Sequence, residues 1–148
     1  MIRFRAATSD DIGDIVALLA DDVLGRGRED PDTAVYQRAF ATMQSEAYNH
    51  LIVGQQDRGR VVATYQITFI SGLSLRATRR AQIESVRVAS DLRGTGIGGL
   101  MVEDMRTRAR AAGCTLLQLT MNITRDDARR FYVAHGFAPS HTGFKMTV

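Results

Sequence analysis

The stretch Arg93-Gly94-Thr95-Gly96-Ile97-Gly98-Gly99 constrains this chain more than any other. An alternating apolar segment, Ala81 to Ala89, precedes it and predicts a strand. The segment that follows, Gly98 to Ala112, has the periodicity of a helix. A strand, a glycine-rich turn and a helix start together make an anion site. Glycine lets the backbone turn sharply and come close to a ligand. The first N–H groups of a helix have no internal partner, and the macrodipole places partial positive charge there. Main-chain donors at such a point hold phosphate or pyrophosphate.

Several ligands carry phosphate, and the flanking residues discriminate among them. Gly94, Gly96 and Gly99 satisfy G-x-G-x-x-G, the dinucleotide fingerprint. That fingerprint needs a carboxylate about 20 residues further on to hold a ribose. The offset falls in Leu117-Gln118-Leu119-Thr120, which has none, and fewer than 50 residues follow the loop. A P-loop is excluded because no Gly-Lys-Ser/Thr follows. That leaves another phosphate-bearing ligand, set against a turn that merely links strand to helix.

Length and composition narrow the class. The 148 residues suit one domain, 1–148, and an apolar share of 45% supports a sizeable core. No apolar run is long enough for a membrane helix, and Met1-Ile2-Arg3-Phe4-Arg5 lacks the apolar stretch of a signal peptide. A cytoplasmic location and no membrane partner are expected. The lone cysteine, Cys114, cannot form an internal disulfide and reads as a small buried hydrophobe. Net charge is +3, with Lys145 the only lysine and the arginines spread along the chain. No basic stripe with interleaved aromatics is present, so no nucleic-acid partner is expected. Mild positive charge still attracts an anionic cofactor. No metal is expected.

The remaining pattern gives the element order β-α-α-β-β-β-α-β-α-β-β. Ile2 to Ala6 reads as a strand, and Thr8 to Asp11 as capping chemistry for a helix with Ile12, Ile15, Val16 and Leu19 on one face. Pro31 suits the first turn of a second helix, whose face would carry Val35, Ala39, Phe40 and Met43. Leu51–Gly54 and Val61–Ile70 read as antiparallel strands, and Gly72 to Arg80 as a loop. After Gly113, Leu116 to Met121 forms a strand. Thr124-x-x-Asp127 resembles a capping box for a short helix that stops at Gly136, with Ala128, Phe131, Tyr132 and His135 on one face. Phe137–Ala138 and Phe144–Val148 look like closing strands.

Arg93, Gly96 and Gly98 meet the loop pattern Arg/Gln-x-x-Gly-x-Gly/Ala, and Ala128 to Phe137 meets Ala-x-x-x-Tyr-x-x-x-Gly-Phe. On these motifs and the element order the chain resembles the GNAT superfamily of acyl-CoA-dependent N-acyltransferases over nearly its whole length. The resemblance implies an α/β fold, a central and mostly antiparallel sheet flanked by four helices. It also implies acetyl transfer from acetyl-CoA to a primary amine by direct attack. Val86, Arg87 and Val88 would lie along pantetheine, with a backbone N–H polarising the carbonyl. The cofactor set is completed by Arg93, Gly94, Thr95, Gly96, Ile97, Gly98 and Gly99, with Asn122, Arg125, Ala128, Arg129 and Phe131 from the later segments. Many members carry Asn where this chain has Arg125, and Asn122 is the substitute.

Tyr132 is the expected general acid, because a phenol is protonated at neutral pH and can donate to a departing thiolate. The alternative is an amphipathic tyrosine half-buried on the sheet. Glu84 interrupts an apolar strand and is the candidate base. It would otherwise face solvent or pair with Arg79, Arg80 or Arg87. The acceptor rim would include Arg26, Arg28, Glu29, Arg76, Arg79 and His141. Leu119 to Phe144 resembles the aminoalkylphosphonate acetyltransferase branch in Thr120-x-Asn122, Asp127-Ala128, Arg130-Phe131-Tyr132 and Ser140-His141. Guanidinium groups bind phosphonate or carboxylate through paired hydrogen bonds, so a small amine with an anionic group is the expected substrate. Acetylation of protein lysines or N-termini, and a coenzyme A-binding sensor without turnover, are the alternatives. A homodimer is the expected assembly.

Overall fold

The computed structural model describes residues 1–22 and 24–148. Five strands form one sheet in the order β1-β2-β3-β4-β5: Ile2–Ala6, Asn49–Gln56, Val61–Ile70, Arg80–Val88 and Leu116–Leu119. Every neighbouring pair is antiparallel except β4 and β5, which run parallel. The helices are α1 (Ile12–Ala20), α2 (Thr33–Ser45), a four-residue turn α3 (Ser74–Ala77), α4 (Ile97–Ala111) and α5 (Asp126–Ala134). This is a mixed α/β architecture. Among the described residues, no helix is long and apolar enough to cross a membrane.

Local chemistry explains most boundaries. Thr8 N–H donates to Asp11 Oδ2 at 2.7 Å, which opens the helical segment as the capping pattern predicts. Asp11 also takes both terminal nitrogens of Arg5, at 2.7 and 2.8 Å, fastening the start of α1 to β1. The Arg5 guanidinium is the main reason the Asp11 carboxyl is lowered to about 2. Asp32 caps α2 by accepting from Ala34 N–H at 2.9 Å, so Pro31 lies before the cap rather than in the first turn. The buried face of α2 is also displaced from the expected one. Val35 and Ala39 are exposed, while Tyr36, Phe40 and Met43 turn inward.

The core fills both faces of the sheet. Ile12, Ile15 and Leu18 of α1 and Phe40 of α2 belong to it, as do Ile97, Met101 and Met105 of α4. Tyr65, fully buried on β3, reaches α4 and donates to Asp104 at 2.6 Å; Asp104 also accepts from Arg108 at 2.8 Å. Cys114 is buried, as expected of a small hydrophobe.

Two expectations fail towards the C-terminus. Thr124 does not cap Asp127. Its N–H and hydroxyl both donate to Asn122 Oδ1, at 3.0 and 2.7 Å, and the helix begins at Asp126. Residues 137–148 form no strand, and Phe144, Met146 and Val148 are exposed. An alternating pattern makes a strand only where a neighbouring strand offers a ladder. β5, the nearest candidate, is four residues long and ends at Leu119.

Candidate active site

The site grows from an irregularity in β4. The register against β3 runs Gln66↔Glu84 and then Thr64↔Arg87, so Ser85 and Val86 together oppose Tyr65. That extra residue is a β-bulge, and Ser85 takes a left-handed φ of 54° within it. A non-glycine residue in this region is uncommon and costs energy, which makes the position a functional candidate. The bulge coincides with a parting of strands. β4 pairs with β5 only from Arg80↔Leu116 to Ile83↔Leu119. From Glu84 to Val88, β4 keeps β3 and, among the described residues, has no strand on its other side. A wedge opens there, lined by main-chain groups.

The glycine loop closes one end of this wedge. Gly94 and Gly96 have φ of 79° and 91°, which only glycine adopts freely, and a Cβ on either would meet nothing within 4 Å. The loop therefore turns tightly beneath open space. Gly96 O accepts from Gly99 and Leu100 N–H, beginning α4. Among the described residues, the amides of Gly94, Gly96, Ile97 and Gly98 donate to no main-chain acceptor. Gly98 and Gly99 serve packing as well. A Cβ on Gly98 would lie 2.9 Å from the Phe131 ring, and one on Gly99 3.2 Å from His135 Nε2. Their lack of side chains lets α5 settle on the start of α4.

Arg93 does not point into the open space. Its Nε donates to Val88 O at 3.2 Å and a terminal nitrogen donates to Asp21 O. Asp21 Oδ2 in turn accepts from Ser90 N–H at 2.8 Å, a bond that lowers the pKa of this carboxyl. The next residue, Asp22, is 8% exposed and pairs with two guanidinium groups, Arg125 at 3.3 Å and Arg87 at 3.6 Å. The turn after α1 thus ties β4, the loop following it and the start of α5 together. Sequence reasoning missed Asp21, Asp22 and Ser85. One signal existed: acidic residues at a helix C-terminus oppose the macrodipole, and Asp21-Asp22 sits there against that preference.

Tyr132 is held on α5 by edge-to-face contacts with Phe131 and Phe137, ring centroids 5.2 and 5.5 Å away. Among the described residues its hydroxyl makes no hydrogen bond, although the side chain is largely covered. Burial raises its pKa, while the nearby Arg125 and Arg87 charges oppose the rise. Glu84 is exposed beside the bulge, and no ion pair to it occurs among the described residues. Two of the three expected alternatives for its partner are occupied elsewhere: Arg79 donates to Ser71 and lies over the Tyr48 ring, and Arg87 pairs with Asp22.

The other expected residues separate into those near the wedge and those away from it. Val86, Arg87 and Val88 form its β4 side, and Thr95 is pinned by its hydroxyl to Leu92 O at 2.6 Å. Asn122 is committed to Thr124, Arg129 is exposed, and Ala128 and Phe131 are partly covered on α5. Phe131 packs on His135 at a centroid distance of 4.2 Å. Arg26 and Arg28 are exposed in the connection after α1, where Glu29 accepts from Tyr36 at 2.7 Å. Arg76 and Arg79 lie in and beside the β3–β4 connection, at the opposite end of β4 from the glycine loop. His141 bonds to its neighbour Ser140.

A bulged strand, a parted parallel neighbour and a glycine loop with free amides meet at one end of the sheet and make a candidate anion site. The chain matches the Acetyltransferase (GNAT) family over residues 15–137, and it belongs to that family. It is 28% identical to the aminoalkylphosphonate N-acetyltransferase of Salmonella typhimurium, over 96% of this chain and 88% of that one. Its structure is similar to a transcriptional regulator from Bacillus halodurans, at TM-score 0.94 and 41% identity across the whole of both chains. The plant glucosamine-6-phosphate N-acetyltransferase from Arabidopsis thaliana shares the fold, at TM-score 0.77 and 21% identity over 100% and 97% of the two chains. The chain is an acetyl-CoA-dependent N-acetyltransferase.

Proposed function

We propose that this single domain, 1–148, acetylates a small primary amine that carries an anionic group, and that it works in the cytoplasm as a homodimer. The observation that carries the catalytic reading is the grouping of three features at one end of the sheet. These are the free amides of the glycine loop, the unpaired side of β4 and the unbonded Tyr132 hydroxyl. The donor set fits coenzyme A. Amides of Gly94, Gly96, Ile97 and Gly98 suit its diphosphate, with helix α4 behind them. Val86 to Val88 offer a strand edge to the pantetheine arm, and Arg125 and Arg129 offer charge to an outer phosphate.

When bound, acetyl-CoA supplies a thioester whose C–S bond breaks as the new C–N bond to the amine forms. The protein's part is to place groups and move protons. A main-chain N–H beside the bulge stabilises negative charge on the carbonyl oxygen, worth about 3 kcal/mol for a well-placed donor. The Glu84 carboxylate, exposed and unpaired, takes the proton that the amine loses. Tyr132 Oη donates a proton to the departing sulfur. Its raised pKa keeps the phenol protonated well into the alkaline range.

The anionic part of the acceptor is supported by the phosphonate-directed relative and by Arg26 and Arg28, which are exposed in the turn that follows α1. The similarity to a transcriptional regulator favours one competing reading, a coenzyme A-binding regulatory module. Free-thiol release from acetyl-CoA across an amine panel separates them. Turnover with aminoalkylphosphonates or amino acids supports the enzyme reading. Preference for polycations such as spermidine removes the anionic acceptor. Thermal stabilisation by coenzyme A without thiol release favours the regulatory module.

A further inference from the structure

The wedge is one side of the bulge; the other side holds a cavity. Between α1, α2 and the sheet lies a space of about 120 Å³, and Ser85 forms part of its wall. That size approaches the roughly 150 Å³ of an engineered apolar cavity that binds benzene. Ile15, Leu19, Phe40, Met43 and Leu51 supply most of the lining, and no charged side chain contributes to it.

Of the four hydrogen-bonding side chains in the wall, those of Tyr36, Thr64 and Gln66 are already engaged, and only the exposed Ser85 hydroxyl makes no hydrogen bond among the described residues. Tyr36 Oη donates to Glu29 and accepts from Asp30 N–H, both at 2.7 Å. Thr64 Oγ1 donates to Ile52 O at 2.9 Å, and Gln66 Nε2 donates to Asn49 Oδ1 at 2.8 Å. A phosphonate or carboxylate here would lose its water and gain little, which is unfavourable. An apolar group would lose nothing and displace poorly bonded water.

We propose that this cavity is a subsite for a short alkyl chain or a single ring carried by one of the two reactants. The proposal rests on the acetyltransferase reading of the bulge, since Ser85 places the cavity beside the reacting centre. It also assigns any anionic group of the acceptor to the exterior, away from these walls. Two sources can supply the apolar group: an acyl chain longer than acetyl, or a substituent on the amine.

The test has two arms. One holds the amine fixed and lengthens the donor from acetyl- through propionyl- and butyryl- to hexanoyl-CoA. The other holds acetyl-CoA fixed and runs methylamine, propylamine, butylamine and benzylamine. In one arm kcat/KM should rise about fourfold per added methylene until the cavity is full, then fall. The arm that rises names the source, and Val16→Phe, which fills the space, should abolish the rise. A second readout does not need turnover. In methyl-labelled protein, butyryl-CoA or butylamine should shift Ile15, Leu19 and Leu51 signals that acetyl-CoA or methylamine leaves in place. Flat series in both arms, with turnover present and those methyls unmoved, would overturn the subsite. Absence of thiol release from every donor would instead defeat the acetyltransferase reading, and the methyl shifts would still decide the cavity.

Discussion

Strand β4 is two strands in one. From Arg80 to Ile83 it lies between β3 and β5 with a neighbour on each side. From Glu84 to Val88 it keeps β3 alone, carries the bulge at Ser85, and leads into a loop whose amides are free. The first half is satisfied and does nothing but hold the sheet. The second half is left incomplete, and every group assigned to the chemistry gathers beside it. Unsatisfied main-chain groups are costly in a fold. Here the free loop amides lie at the end of that strand, where a ligand with its own acceptors can complete them.

The comparison is broken most severely by removing the groups that only the second half needs. Tyr132→Phe keeps the aromatic packing and deletes the hydroxyl. Its kcat should fall roughly 100- to 10,000-fold, with little change in the KM for acetyl-CoA. Because burial holds the Tyr132 pKa above its ordinary value, the alkaline limb of the wild-type rate is displaced upward from the ordinary phenol range and should vanish in this variant. Wild-type turnover in Tyr132→Phe would rule out the acid. Glu84→Gln should flatten the acidic limb of kcat/KM, and an unaltered pH profile would exclude it as base.

Asp22→Asn tests what holds the wedge in shape. It leaves the Arg87 and Arg125 guanidinium groups together without their shared carboxylate. Breaking a buried pair in this way costs about 3 kcal/mol. The urea midpoint should fall, and the KM for acetyl-CoA should rise because both arginines flank the site. Gly98→Ala is milder. Its methyl would press on the Phe131 ring, so an overpacking cost of about 1–3 kcal/mol and a lower Tm are expected. Unchanged melting would show that α5 is not seated on that glycine.

The smallest effect lies away from the wedge and serves as the contrast. The Asp11 carboxyl sits at about 2 in the folded protein, below its unfolded value near 3.9. A lowered folded pKa contributes stability that is present above the unfolded value and is lost as pH falls through the folded one. On the order of 2 kcal/mol should therefore disappear between about pH 5 and about pH 2. Arg5→Ala removes the main cause and should shrink that loss, as urea titrations at the two pH values would show. Its coenzyme A affinity at neutral pH should not change, because β1 lies at the other edge of the sheet.

What the sequence disclosed follows the same division. Apart from the short α3 at Ser74–Ala77, which falls in a stretch read as a loop, strand and helix order was legible through Gly136, because periodicity is local. The glycine turn was legible from its composition, while Glu84 was singled out as a carboxylate in an apolar strand and Tyr132 through the family's motif. The bulge was not, since Ser85 has no feature that marks a left-handed residue. The Asp21–Asp22 clasp was hidden because its partners are 65 to 103 positions away. Arg93 looked like a phosphate ligand, and only the folded chain shows its guanidinium turned back onto Val88 and Asp21. The Phe144–Val148 alternation misled for the opposite reason: it describes a strand's side chains and says nothing of whether a partner ladder exists.

The central claim is that the free amides of one loop hold the diphosphate of the acyl donor. Amide chemical shifts during titration with acetyl-CoA test it most directly. Gly94, Gly96, Ile97 and Gly98 should move together and saturate with the calorimetric binding curve, while Gly59 and Gly113, also at positive φ, should stay in place. Saturation that leaves the loop amides unmoved, or no association in folded protein, would contradict the account.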